Sequence, residues 1–152
     1  MNFNVKIPEK KLYIILILCG LIIFINSMDV MIKVKDIELY NQWVLKLKET
    51  GDLNSVDGGL HDLYVTSHLS FFLIKIIVPM VLGIYSYFAF KYNKINKIYV
   101  YIWTIFLLGS LAFNLVELRL DSIFYYVNIV SYIILIITIL SLLSIINSRK
   151  NS

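Results

Sequence analysis

Four long blocks of apolar residues constrain this chain more than any other feature of its sequence. They cover residues 12–32, 69–90, 98–118 and 123–146. A helix needs about 20 mostly apolar residues to cross the hydrocarbon core of a bilayer, and each block meets that length. Since 59% of the 152 residues are hydrophobic and only 16% are charged, little sequence remains for a soluble domain. The sequence predicts an all-α membrane protein in which residues 1–152 form one four-span domain.

Most of the positively charged residues lie at one end of the predicted bundle. They precede the first block, follow the second one and stand near the end of the sequence: Lys6, Lys10, Lys11, Lys91, Lys94, Lys97, Arg149 and Lys150. Cytoplasmic loops are enriched in lysine and arginine. We therefore expect cytoplasmic termini, antiparallel spans and an outer loop at residues 33–67. The richness in Ile, Lys and Asn is typical of AT-rich bacterial genomes, so we expect the cytoplasmic membrane of a bacterium.

The first half of the outer loop has the pattern of an amphipathic helix. Apolar side chains recur there at helical spacing on one face: Ile37, Tyr40, Val44 and Leu47. Tyrosine and tryptophan favour the membrane interface, so we expect this helix to lie on the outer surface. Tyr40, Trp43 and Leu47 are its candidate partner-binding residues. The alternative is a helix that caps the bundle by packing on the chain's own spans. Residues 51–62 are rich in turn formers and predict a loop.

Lys75 interrupts the second apolar block, six residues after its start at Leu69. At a helical rise of 1.5 Å per residue, it would lie roughly 9 Å below the outer boundary of the membrane. A cation deep in the bilayer costs about 2.5–3.5 kcal/mol. One interpretation is that the flexible side chain reaches back to the interface. The other is that a carboxylate inside the bundle neutralises it, and Asp29 and Glu117 are the candidates.

Each predicted span carries a pair of polar residues near its outer end. The pairs are Asn26 with Asp29, His68 with Lys75, Asn114 with Glu117, and Asp121 with Asn128. Residues three or seven apart share one face of a helix. Since buried polar groups need partners, we expect the pairs to face one another and to form a polar cavity open to the outside. The candidate ligand-binding residues are Lys75, Asp29, Glu117, Asn114, Asn26, Asn128 and His68.

Pro79 adds a backbone feature at the same depth. Proline lacks the N–H group that would bond the carbonyl four residues earlier, which belongs to Lys75. The sequence therefore predicts a freed carbonyl and a kink beside the lysine. A kink that serves only helix packing is the alternative.

The sequence contains no motif that points to a cofactor. A phosphate-binding glycine loop, an HExxH motif and paired cysteines are all missing, and Cys19 is the only cysteine. We therefore expect no cofactor and no metal. The basic residues form no stripe with interleaved aromatic residues outside the apolar blocks, so we expect no nucleic acid as partner.

The favoured hypothesis is a small membrane protein whose outward-facing polar cavity binds a zwitterionic or anionic ligand or a lipid headgroup, as a transport component or a receptor. Besides the lipid bilayer, we expect a second copy of the chain or another membrane protein as partner, because four spans rarely form a complete transporter. The alternative is an accessory or immunity-type protein that acts through the outer amphipathic helix. A third hypothesis is an intramembrane enzyme that uses Lys75, His68 or Glu117.

Overall fold

A computed structural model describes residues 8–50, 59–116 and 122–148, and its regular structure there is helical throughout. The helices are α1 (Glu9–Lys35), α2 (Ile37–Thr50), α3 (Leu60–Lys91), α4 (Lys97–Val116) and α5 (Ile123–Ser148). In the described part of the chain, α1, α3, α4 and α5 are long and apolar enough to cross a membrane. The predicted all-α chain with four candidate spans is therefore confirmed.

The four long helices pack in a ring. α1 contacts α3 and α5, α4 contacts α5 and α3, and the contact between α3 and α4 is the loosest of the four. Near the start of α3, the hydroxyl of Tyr64 donates a hydrogen bond of 2.9 Å to the backbone carbonyl of Lys33, near the end of α1. Further along α3, Gly83 faces Cys19 in the middle of α1.

The buried face of α1 contributes to the apolar core and, near the end of the helix, to a polar region. The buried residues of this helix recur every three or four positions: Ile15, Leu18, Cys19, Ile22, Ile25, Asn26, Val30 and Lys33. That spacing keeps them on one face of the helix. Up to Ile22 the buried residues of α1 join a core that includes Leu82, Leu107 and Leu135 of the other long helices. From Asn26 onward the same face brings polar side chains to the end of the bundle that carries α2.

α3 starts at Leu60, within the segment expected to be loop. The preceding Gly59 has φ of 110°, a left-handed conformation that glycine adopts without strain. Tyr64, one turn into the helix, is completely buried and anchors this extension. At 1.5 Å per residue, the 32 residues of α3 measure about 48 Å, which exceeds the roughly 30 Å of bilayer hydrocarbon. α3 is therefore longer than a helix needs to be to cross a bilayer.

α2 is helical as the periodicity predicts, and it packs on α3. Asp36 caps it, because its Oδ1 accepts hydrogen bonds of 2.9 and 3.1 Å from the backbone N–H groups of Glu38 and Leu39. The rings of Tyr40 and Trp43 lie 5.3 and 5.4 Å from the ring of Tyr64. These two candidate partner-binding residues are thus half-buried against the chain's own span. The location of α2 on the outer membrane surface stays a prediction.

Two adjacent leucines test the packing of α4. Leu107 is 0% exposed and Leu108 is 50% exposed. Leu107→Ala should lower the free energy of unfolding by about 2 kcal/mol, because it leaves a void in the core. Leu108→Ala removes the same atoms from an exposed position of α4 and should change the free energy of unfolding by less than about 0.5 kcal/mol. Unfolding of the purified protein by SDS titration in detergent micelles measures both. Equal losses for the two variants would contradict the packing of α4 described above.

Candidate functional site

Three asparagines from three helices form a hydrogen-bonded chain at the α2 end of the bundle. The Nδ2 of Asn128 donates to Oδ1 of Asn114 at 3.0 Å, and the Nδ2 of Asn26 donates to Oδ1 of Asn128 at 3.3 Å. Asn26 and Asn114 also donate to the backbone carbonyls of Ile22 and Ser110, at 2.8 and 2.7 Å. All three side chains are buried. Together they connect α1, α4 and α5.

Asp29 forms an ion pair with Lys33, one turn further along α1. Lys33 is itself buried, and its backbone carbonyl is the acceptor for the hydroxyl of Tyr64. The sequence-based prediction omits this pair, because the predicted first span ends at residue 32, whereas α1 continues to Lys35. The spacing of four residues between an aspartate and a lysine was the signal that identifies it.

Lys75 is only 7% exposed and lies among these groups. We call Asn26, Asp29, Lys75, Asn114 and Asn128 the polar layer. All five line one small cavity between α1, α3, α4 and α5, and three of them, Asn26, Asp29 and Lys75, also line a second cavity. Each cavity has a volume of about 20 Å³, which accommodates about one water molecule. The space at the predicted site is therefore water-sized in this structure.

The backbone carbonyl of Lys75 accepts a hydrogen bond from outside its own helix. The hydroxyl of Tyr132 in α5 donates to it at 3.3 Å, and Tyr132 is completely buried. Pro79 lies within α3 at the position where its missing N–H leaves this carbonyl available. The predicted freed carbonyl is thus used as a contact between α3 and α5.

His68 borders the polar layer from the side of α2. It lines the second cavity together with Lys33, and its ring lies 4.4 Å from the ring of Tyr64 in an edge-on arrangement. The rings of Tyr40 and Trp43 contact the same Tyr64. An aromatic cluster therefore connects α2 to the polar layer.

Of the predicted site residues, the structure brings together Asn26, Asp29, His68, Lys75, Asn114 and Asn128. Glu117, like Asp121, lies outside the described residues. Leu47 is half-buried on α2. Within residues 8–50, 59–116 and 122–148, no group of three or more His, Cys, Asp and Glu side chains is placed to hold a metal ion.

Asn128, the middle one of the three hydrogen-bonded asparagines, provides a test of the polar layer. Asn128→Leu removes three hydrogen bonds between helices, two with Asn26 and one with Asn114, and should lower the free energy of unfolding by about 1–2 kcal/mol. Ser131→Ala is the matched control, because Ser131 is buried one turn along the same helix but donates only to Val127 of that helix. Its effect should stay below about 0.5 kcal/mol. SDS titration in micelles measures both, and a harmless Asn128→Leu would contradict the network.

Comparison with models of known protein families, with curated proteins and with solved structures finds no match. The function of this chain therefore has to be inferred from the polar layer and from the space around it.

Proposed function

We propose that this chain is an integral protein of a bacterial cytoplasmic membrane whose polar layer binds the anionic or zwitterionic group of a small ligand or a lipid headgroup. It acts as a transport component or a receptor, in a homo-oligomer or together with another membrane protein. The observation that carries the proposal is the buried Lys75, which lies beside Asp29 and the three amides of the polar layer.

A buried lysine is a costly feature for a bundle in a membrane. An ionisable residue inside a membrane-spanning segment is by default a functional-site hypothesis, since its insertion costs about 2.5–3.5 kcal/mol. The three asparagines already tie α1, α4 and α5 together by hydrogen bonds. The lysine is not needed for those contacts, which supports a role in binding.

The charges of the polar layer and its surroundings favour a ligand that carries a negative group. Among the described residues that line the two cavities, Lys33 and Lys75 are cations and Asp29 is an acid. A phosphate or carboxylate group would accept charge-assisted hydrogen bonds from a lysine. The carboxylate of Asp29 would suit the cationic group of a zwitterion.

The proposed orientation places the polar layer at the outer side of the membrane. Lys91, Lys94 and Lys97 lie at the opposite end of α3 and α4 from the polar layer, and cytoplasmic loops are enriched in lysine. The contacts of Tyr64 with Lys33 and of Gly83 with Cys19 support antiparallel packing of α1 and α3. α2 then lies on the outer side, next to the site.

Ligand-induced stabilisation tests the proposal. The purified protein is heated in detergent with increasing concentrations of glycerol 3-phosphate, phosphocholine or dihexanoyl phosphatidylglycerol. At least one of these probes should raise Tm by about 5 °C at a hundredfold excess over its Kd. Lys75→Met should abolish this rise, because it removes the cation and keeps the apolar stem.

Lys35→Met is the matched control for the loss of charge. Lys35 is exposed near the end of α1, at the same end of the bundle, so this variant should keep the response of the wild type. The proposal is wrong if no probe raises Tm, or if Lys75→Met responds like the wild type.

The interaction hypothesis has its own support on α2. Ile37 is 75% exposed although it belongs to the predicted apolar face, and Leu45 is also exposed. A membrane-protein partner would cover such side chains. If α2 is the functional surface, Ile37→Ser should reduce co-purification of that partner, while Lys75→Met should leave it unchanged.

A further inference from the structure

A groove between α3 and α4 opens on the lateral surface of the bundle and reaches the polar layer. Its volume is about 450 Å³, within the range of about 300–1,000 Å³ that small-molecule sites occupy. Most of its lining is apolar and includes Ile74, Ile77 and Phe106. Lys75, Ser110 and Asn114 supply its polar part.

The packing of α3 and α4 explains why the groove exists. At the end away from α2, the hydroxyls of Ser86 and Tyr99 are 2.6 Å apart and the rings of Tyr85 and Tyr99 stack at 5.8 Å. Toward the polar layer, residues of both helices line the groove. Gly109 of α4 lies in this part, and a Cβ at its position would have no atom within 4 Å.

Lys75 and Asn114 belong to both the groove and the small cavity beside Asp29. They therefore form the boundary between the polar layer and the lateral opening. The two small cavities have room for about one water molecule each. The larger space at the proposed site is the groove between α3 and α4.

We propose that this groove binds one acyl chain of an anionic phospholipid, and that the phosphate of this lipid contacts Lys75. The inference rests on the proposed function and names its ligand class. A chain in the groove covers the apolar walls, and the cation at the polar end complements the phosphate charge. A soluble ligand would leave the apolar walls of the groove unused.

A second groove of similar size provides an internal comparison. It lies between α1 and α3, has a volume of about 490 Å³ and is lined by Leu16, Gly20 and Met80 among others. No residue of its lining carries a charge. A lipid chain in this groove has no cation for its phosphate, so the α1–α3 groove should not select anionic lipids.

Native mass spectrometry of the purified protein with added dioleoyl phosphatidylglycerol or dioleoyl phosphatidylcholine tests the inference. The wild type should retain one phosphatidylglycerol with about tenfold higher affinity than phosphatidylcholine, the gain expected from one charge-assisted contact. Gly109→Phe fills the α3–α4 groove and should lower the affinity for phosphatidylglycerol about tenfold. Lys75→Met should remove the preference for the anionic lipid.

Gly20→Phe is the matched control. Gly20 is exposed, lines the α1–α3 groove, and like Gly109 has no atom within 4 Å of a Cβ at its position. This variant should bind phosphatidylglycerol like the wild type. Equal losses for the two phenylalanine variants would overturn the assignment to the α3–α4 groove.

Further outcomes separate this inference from the proposed function. If Gly109→Phe keeps the lipid while glycerol 3-phosphate still raises the Tm of the wild type through Lys75, the lateral groove is wrong and the polar site stands. If the wild type is a dimer and Gly109→Phe is a monomer, a second copy of the chain occupies the groove and the lipid assignment is wrong. If Lys75→Met changes neither the Tm rise caused by the probes nor the preference for phosphatidylglycerol, both proposals fail.

Discussion

The hydrocarbon core of a bilayer contains no hydrogen-bond donors or acceptors. This constraint determines how four membrane-spanning helices must face one another. An unsatisfied polar group in the bilayer core costs several kcal/mol. Asn26, Asn114 and Asn128 avoid that cost by bonding to one another across three helices. Among the described residues, every buried side-chain nitrogen and oxygen atom has a hydrogen-bond partner. The three hydrogen-bonded asparagines therefore link α1, α4 and α5. The apolar core lies next to them, toward the end of the bundle away from α2.

The same constraint places Lys75 at the junction of two different environments. Its backbone carbonyl, left without a helical partner by Pro79, is bonded by Tyr132. Its side chain borders two water-sized cavities shared with the other polar groups and an open groove between α3 and α4. One residue thus joins the contact between α3 and α5 to the proposed binding site. Helix packing and ligand binding would respond together to a change at this position.

The features that depend on periodicity along one helix could be predicted from the sequence. Block length alone identifies the four candidate spans, because about 20 mostly apolar residues are the length that a helix needs to cross a bilayer. Spacings of three and seven residues place Asn26 with Asp29 and His68 with Lys75 on shared faces. The freed carbonyl of Lys75 follows from the position of Pro79 alone.

The features that depend on how helices meet could not be predicted. The start of α3 at Leu60 relies on Tyr64, whose burial comes from contacts with α1 and α2. The water-sized cavities and the groove depend on distances between helices, which differ by a few ångströms without any change in the periodicity of each helix. The ion pair of Lys33 with Asp29 is a different case. The spacing of four residues indicates it, but the predicted first span ends at residue 32, whereas α1 continues to Lys35.

A double-mutant cycle between Lys75 and Asp29 tests the central claim most directly. The free energies of unfolding of Lys75→Met, Asp29→Asn and the double variant would be measured in lipid–detergent micelles. Lys75→Met combined with Glu9→Gln at the other end of the bundle serves as the uncoupled control. The account predicts a coupling above about 0.5 kcal/mol for Lys75 with Asp29 and none for the control. Additive effects, with Lys75→Met neutral or stabilising, would show that Lys75 is not part of a buried network, and the polar layer would lose its cation.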